Sequence, residues 1–186
     1  MNSGFTLIEI LVVLAIIIII TGIVIFNIGL ERQNSTLFHS AQNLSLDFRR
    51  AQSYSISSKV YNKKIDGTIC IPSSEFTCVP CGWGIHFNGI GSTSYTIFAD
   101  LASAVNCSDR DFIRASSGFE DFETISLESG ITVNTTSSTL TDVIFTPPEP
   151  TVKFTPDQAE ANITIINKKL ATSTITINKN GFISSP

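Results

Sequence analysis

The sequence has little of what most enzymes and nucleic-acid-binding proteins need. Its 186 residues include only two histidines, and no GxSxG, P-loop or HExxH motif or pair of catalytic carboxylates occurs. No block of Lys and Arg occurs either, and the net charge is −4. A dedicated nucleic-acid binder normally shows a concentrated basic face. We therefore expect no catalytic activity and no cofactor, and DNA is an improbable partner.

Proline is absent from the first 71 residues, and Lys and Arg are absent from the first 31. The first proline is Pro72, so no proline interrupts a helix before that point. The opening residues MNSG contain no Lys or Arg, whereas an ordinary secretory signal begins with a positive segment and has an apolar region of about 7–15 residues. We therefore expect the apolar stretch that follows to persist as an anchor.

That stretch is a long apolar run with one charge. Residues 5–28 contain Glu9 and no other ionisable side chain. As a helix they span about 36 Å, which is enough to cross a bilayer core of about 30 Å. A charge inside such a segment costs roughly 2.5–3.5 kcal/mol on insertion scales. Glu9 therefore either has a function inside the segment or lies at the level of the lipid headgroups, where it would affect only the membrane topology of the chain.

The helix is predicted to continue beyond the membrane. Apolar residues recur there at steps of four and three: Leu37, Ala41, Leu44, Phe48 and Ala51. We expect one helix of about 50 residues that ends near Ser57, with its second half packed against a sheet. A membrane helix followed by a separate amphipathic helix is the alternative.

The second half of the sequence changes to a period of two. Apolar residues alternate in the segments around Trp83–Phe87, Tyr95–Ile97, Ile125–Leu127, Val143–Phe145, Ile163–Ile165 and Ile175–Ile177. Gly, Asn and Pro clusters separate these segments. Strands that follow one long helix without βαβ alternation favour the α+β class with a largely antiparallel sheet.

The string Gly4-Phe5-Thr6-Leu7-Ile8-Glu9, followed by an apolar helix, resembles the class III signal of type IV prepilins and type II secretion pseudopilins. In that family prepilin peptidase cuts after the glycine and methylates the new N-terminal residue. The resemblance implies cleavage between Gly4 and Phe5 and methylation of Phe5. It also implies that Glu9 acts in assembly, where it meets the cationic N-terminus of a neighbouring subunit.

Later segments are similar to one branch of this family, the GspH/FimT minor pseudopilins and minor pilins. The matching strings are FHSAQNLSLDFRRAQSYSISSKVY, CGWGIHFN, YTIFAD, DVIFTP and ITINKNGFIS. The resemblance implies a pilin-like fold divided into a leader (residues 1–4), a transmembrane half-helix (5–28), an amphipathic half-helix (29–57) and an extracytoplasmic β-rich domain (58–186).

The implied function is that of a minor subunit in a type II secretion or type IV pilus machine. The implied partners are other pilins or pseudopilins, prepilin peptidase, the inner-membrane assembly platform and membrane lipid. The implied location is the inner membrane, with the C-terminal domain outside the cytoplasm, and then a filament. The alternatives are a DNA-binding minor pilin, suggested by Lys153, Lys168, Lys169 and Lys179, and a membrane-anchored binding domain outside any filament.

Four cysteines occur: Cys70, Cys78, Cys81 and Cys107. Disulfides persist outside the cytoplasm, and an even, clustered count fits two bridges among three possible connectivities. We favour Cys70–Cys78 with Cys81–Cys107, because a bridge within Cys78-Val79-Pro80-Cys81 would be tight. A zinc site and a redox-active CxxC are weaker alternatives, because the spacing is irregular and no thioredoxin pattern surrounds it. We therefore expect no metal.

The histidines and acidic residues give weak signals. His39 lies beside the helical stripe, and His86 alternates with Ile85 and Phe87, so it faces away from the packed side of the sheet. We interpret both as surface or partly buried residues. Acidic residues gather between Asp100 and Glu128, but they match no calcium-loop spacing. We expect a solvated acidic surface there.

Overall fold

The computed structural model describes residues 6–63, 79–102, 107, 111–134, 140–148 and 151–185, and for residues 26–33 the backbone only. Within these ranges the chain forms one helix, α1 (Leu7–Ile56), and nine strands. The strands are β1 (Gly82–Phe87), β2 (Ser94–Asp100), β3 (Asp121–Ser126), β4 (Ile131–Val133), β5 (Asp142–Thr146), β6 (Thr151–Thr155), β7 (Glu160–Asn167), β8 (Thr172–Asn178) and β9 (Ile183–Ser184). The chain divides into two compact units, Met1–Thr36 and Leu37–Pro186.

The first unit contains the apolar part of α1. The 19 residues Leu7–Ile25 have a mean hydropathy of 3.2, and none of them is buried. A helix that is apolar all round needs an apolar environment, and this one is long enough to cross a membrane. The first unit therefore carries a candidate membrane span.

The second half of α1 carries the predicted stripe. Five side chains at steps of three and four are buried in the core of the second unit: Leu37, Ala41, Leu44, Phe48 and Ala51. Phe38 and Leu46 lie outside this stripe and remain exposed. The continuous helix is confirmed, and it ends one residue before the predicted Ser57.

The C-terminal end of α1 is a Schellman motif. The amide of Lys59 donates to the carbonyl of Tyr54 (2.9 Å), and the amide of Ser58 donates to that of Ser55 (3.1 Å). Ser58 has φ 50°, the left-handed conformation that this motif requires and that glycine usually supplies. The motif turns the chain sharply, so Lys59 lies back over the last turn of the helix.

Five strands form one antiparallel sheet in the order β3-β2-β1-β5-β6. In the central strand β1, Trp83, Ile85 and Phe87 face the core. Gly84 faces the other side, where a Cβ would lie 2.6 Å from the carbonyl oxygen of Val143. Glycine is therefore required there by the close approach of β5.

Four strands form a second antiparallel sheet in the order β4-β7-β8-β9. Its buried isoleucines join the same core: Ile163, Ile165, Ile175 and Ile177. The α+β class and the antiparallel pairing are confirmed, but the strands are divided between two sheets. Strands β4 and β9 are too short for a period of two to reveal them, with three and two residues.

Candidate functional site

The candidate site on the first unit is the start of α1, where Glu9 lies in the first turn. The carbonyl of Thr6 accepts the amides of Glu9 (3.1 Å) and Ile10 (3.4 Å). Thr6 and Glu9 have the spacing of a capping box, and an acid in the first turn also interacts favourably with the helix dipole. Glu9 can therefore act locally as part of a helix cap, in addition to the assembly role that the resemblance implies.

Two features separate Glu9 from an ordinary cap. It is exposed, like the apolar residues around it from Leu7 to Ile25. It also forms no ion pair with any residue whose side chain is described. The predicted processing site at Gly4 and Phe5 lies outside the described residues. The structure thus describes a carboxylate in an apolar helix whose charge is not neutralised by the described part of the chain.

In the second unit, two polar contacts bind α1 to the edge of the five-stranded sheet. The hydroxyl of Tyr95 donates to Asp47 Oδ2 (2.6 Å), and Arg50 Nη2 donates to Glu123 Oε2 (2.6 Å). Burial, followed by the bond to Asp47, raises the pKa of Tyr95. These contacts fix the rotation of the helix on the sheet, because they engage β2 and β3 from one helix face.

An aromatic cluster receives Lys59 at the end of α1. The Lys59 Nζ lies 3.4 Å from the centre of the Tyr54 ring and 4.2 Å from that of Phe122. Trp83 and Tyr61 pack edge-on against the same rings. Burial raises the pKa of Tyr54, but hydrogen bonds from Arg50 and Lys59 outweigh it, so the net change is a lowering. The cluster ties the helix end to β1 and β3 through cation–π contacts.

The structure joins Cys81 and Cys107 by a disulfide. This is one of the two favoured bridges, whereas Cys70 and Cys78 lie outside the described residues. Cys81 directly precedes β1 and is buried. The bridge therefore fastens the connection between β2 and β3 to the start of the central strand. Among the described residues, no cluster of His, Cys, Asp and Glu is arranged to hold a metal ion.

The expectation of a solvated acidic surface is wrong for Asp100 and Glu120, which are both buried. The Glu120 carboxylate accepts the amides of Leu101 (2.9 Å) and Ala115 (2.6 Å). Its pKa is raised by burial, although these two bonds act in the opposite direction. Charge alone suggested exposure, but a carboxylate can be buried where backbone amides of a folded connection converge on it.

His86 lies on the side of β1 that faces away from the core, as expected, and it is partly buried. Its Nδ1 lies 2.8 Å from Oδ1 of Asp142, which is fully buried. The same oxygen accepts the amide of Arg114 (3.3 Å), and Thr141 donates to the other (2.6 Å). The pair therefore holds the connection between β2 and β3 against the sheet.

The lysines of the C-terminal half do not form one basic face. Lys179 pairs with Asp157 (2.9 Å), and Lys153 lies over the ring of Phe112 (5.7 Å). Only Lys168 and Lys169 are neighbours, in the turn between β7 and β8. This distribution gives a weak electrostatic footprint for DNA.

The contacts of Asp47, Arg50, Lys59 and Glu120 were not predicted from the sequence. Tyr95 lies 48 residues from Asp47, Glu123 lies 73 residues from Arg50, and Leu101 lies 19 residues from Glu120. The other amide bound by Glu120 is only five residues away, but it belongs to a connection without regular secondary structure. Only the i,i+3 and i,i+4 spacings within α1, from Arg50 to Asp47 and Tyr54, were visible in advance.

Comparison with known proteins bears on the N-terminal site. Residues 1–25 match the family model of the prokaryotic N-terminal methylation motif. No curated protein and no solved structure matches the chain. The match shows a type IV pilin-like class III signal, and with the apolar helix it fits membrane anchoring. It supports a pilin- or pseudopilin-like protein that prepilin peptidase processes.

Proposed function

We propose, from the type IV pilin-like class III signal in residues 1–25, that this chain is a minor pseudopilin or minor pilin. Before assembly it resides in the inner membrane. There prepilin peptidase cleaves it between Gly4 and Phe5 and methylates Phe5. The assembly platform then inserts it among other pilins or pseudopilins, in a filament or at its tip. The observation that carries the proposal is Glu9, the one charge in the apolar and unburied segment Leu7–Ile25.

Glu9 has a chemical partner in this proposal. Cleavage would create an α-amino group on Phe5, four residues before Glu9 in the sequence. In a filament the cationic N-terminus of a neighbouring subunit is the partner that this proposal gives to the Glu9 carboxylate. A charge pair in an apolar interior is tolerated when complete and strongly penalised when one member is missing. A subunit can therefore be inserted only in the register that brings its Glu9 carboxylate to the amine of its neighbour.

The exposed face of α1 supports assembly as well. Phe38 and Leu46 lie outside the buried stripe of the helix, and both are exposed. Scattered exposed apolar residues are ordinary on a protein surface. Phe38 and Leu46, however, lie on the same helix as the apolar segment, which needs an apolar environment. Neighbouring helices in a filament would provide that environment.

We assign the chain to the GspH/FimT type on the order of its strands. The segments CGWGIHFN, YTIFAD and DVIFTP lie in β1, β2 and β5, which are adjacent in one sheet. The segment ITINKNGFIS covers the second half of β8, its turn and β9. The string FHSAQNLSLDFRRAQSYSISSKVY covers the second half of α1 and the chain just after it, and the later strings lie on paired strands or their turns. This placement supports the assignment, because family motifs that maintain a fold should lie on its helices and strands.

We propose a structural role without catalysis. The partly buried His86 and the buried carboxylates of Asp142 and Glu120 are occupied by hydrogen bonds that fasten the connection between β2 and β3. A DNA-binding role is less well supported, because two of the four lysines that suggested it are engaged by Asp157 and Phe112.

Mass spectrometry of the protein's N-terminus tests the proposal. The protein is taken separately from membranes and from material sheared off the cell surface. A methylated Phe5 start in the sheared fraction is the expected result. A Met1 start confined to membranes would refute processing and assembly together.

The control is Gly4→Val, which removes the glycine after which the peptidase of this family cuts. This variant should keep its Met1 start and stay in the membrane fraction. If it also reached the sheared fraction, release would not depend on processing.

A further inference from the structure

The turn between β7 and β8 carries the most exposed large apolar side chain described in the second unit. Leu170 is 79% exposed, and the two residues before it, Lys168 and Lys169, are exposed as well. Neither lysine forms an ion pair with a described residue. Exposed apolar side chains and exposed cationic side chains both interact favourably with the interface of an anionic bilayer.

The turn holds this shape by its own hydrogen bonds. The side-chain oxygen of Asn167 accepts the amides of Lys169 (2.9 Å) and Ala171 (3.0 Å), and its carbonyl accepts the amide of Leu170 (3.0 Å). Leu170 has φ 64°, a conformation that is unfavourable for a residue with a Cβ. The backbone therefore presents Leu170 outward, and little further ordering is required for the turn to bind a surface.

The direction of β1 fixes which end of the second unit the turn occupies. Trp83 packs against Tyr54 (ring centres 5.1 Å apart), and Phe87 packs against Phe48 (6.2 Å). As β1 advances, its contacts on α1 therefore move back towards Leu37. The turn after β1 lies at the end of the unit where the helix enters.

Pairing places the turn between β7 and β8 at that same end. Gly91, in the turn after β1, donates to the carbonyl of Val133 in β4 (2.8 Å). Two residues earlier in β4, Ile131 is the register partner of Asn167, where the β7–β8 turn begins. The hydrogen bond from Gly91 to Val133 and the register pair of Ile131 and Asn167 thus place the β7–β8 turn at the end of the second unit where α1 enters.

The far end of β8 agrees with this placement. The carbonyl of Gly181 accepts a hydrogen bond from Gln52 Nε2 (3.0 Å), close to the end of α1. Strand β8 is about 20 Å long, and the helix from Leu37 to Gln52 is about 22 Å long. The strand therefore leads from the helix end back to the helix entry.

We propose that the turn of residues 167–171 binds anionic phospholipid headgroups and so seats the domain on the membrane before assembly. This inference rests on the membrane anchoring in the proposed function. The candidate span ends at Ile25, and the second unit begins at Leu37. Twelve residues reach at most about 42 Å. At most this length of chain therefore separates the candidate span from the start of the second unit, whose helix-entry end carries the turn.

The two lysines set the expected size of the effect. A basic residue near an anionic surface changes the ratio of seated to unseated domain about fivefold, so two change it about thirtyfold. Leu170 adds an apolar contribution that does not depend on lipid charge. Seating should therefore be strong on phosphatidylglycerol-containing vesicles and weak on phosphatidylcholine alone.

A tryptophan at the tip of the turn reports seating. The full chain with Leu170→Trp is reconstituted in vesicles of either composition whose acyl chains carry bromine near the headgroup. Emission of the introduced tryptophan should be quenched in vesicles with phosphatidylglycerol, and Lys168→Gln with Lys169→Gln should abolish that quenching. The wild-type chain gives the background from buried Trp83.

The matched control is Phe182→Trp, at a position 67% exposed in the turn at the other end of β8. It should stay unquenched. Equal quenching at both positions, equal quenching in both lipids, or no quenching in chains that float with the vesicles would each overturn the proposal. A chain that fails to float with vesicles would refute the membrane anchor itself, and the seating proposal with it.

Discussion

Replacing Glu9 by Gln tests whether the carboxylate acts in assembly or only caps its helix. Glutamine is the other residue found at this position of a capping box, so the variant keeps the local hydrogen-bonding capacity and removes only the charge. If Glu9 were a cap, Glu9→Gln would behave almost like the wild type. If Glu9 pairs with the amine of a neighbour, assembly should fail.

The magnitude follows from the geometry. The described side chains give Glu9 no ion-pair partner, and the proposed partner is the α-amino group of a processed neighbouring subunit. The variant therefore leaves the neighbour's amine without a carboxylate in an apolar interior. Removing one member of a buried pair costs about 3–5 kcal/mol. Insertion of the variant should fall by about two to four orders of magnitude.

The assay compares the amounts of wild type, Glu9→Gln and Glu9→Asp in the sheared fraction, each normalised to its membrane content. Glu9→Asp keeps the charge on a side chain one methylene shorter and should retain partial assembly. N-terminal mass spectrometry of the membrane pool establishes that all three are processed. Glu9→Gln at the wild-type level in sheared material would refute the reasoning.

Three further predictions concern the second unit. For each, the free energy of unfolding is measured on the full chain in detergent micelles. Phe48→Ala should destabilise it by about 3–5 kcal/mol, because the ring is fully buried against Phe87; the exposed Phe38→Ala is the control, and equal losses would contradict the core assignment. Ser58→Gly should stabilise it by about 0.5–1 kcal/mol, since φ 50° suits glycine, and any loss of stability would count against the Schellman motif. For Glu120 the pKa is raised in the fold, so its stabilising contribution is complete below its ordinary value of 4.5 and is lost as pH rises through the raised value. The stability advantage of the wild type over Glu120→Gln should therefore shrink as the pH rises above 4.5, the ordinary pKa of a glutamate, and a constant difference would exclude this linkage.

The sequence predicted the long helix and its buried stripe because both signals are local and repeat many times. Leu37, Ala41, Leu44, Phe48 and Ala51 follow the period of a helix, and the structure buries all five. The strands with several alternating isoleucines or aromatics were predicted for the same reason. Strands β4 and β9, with three and two residues, exist only through pairing with β7 and β8.

The N-terminal site was determined by the sequence alone. Its chemistry depends on residue types at fixed spacing within one helix, and the match of residues 1–25 to the methylation motif needs no tertiary contact. The tertiary structure decided which charges are buried and which are free. Glu120 is buried because two backbone amides converge on it from a folded connection, whereas Lys168 and Lys169 stay exposed because strand pairing places them at a turn. Such outcomes depend on groups distant in the chain, and the linear sequence does not encode their proximity in any local pattern.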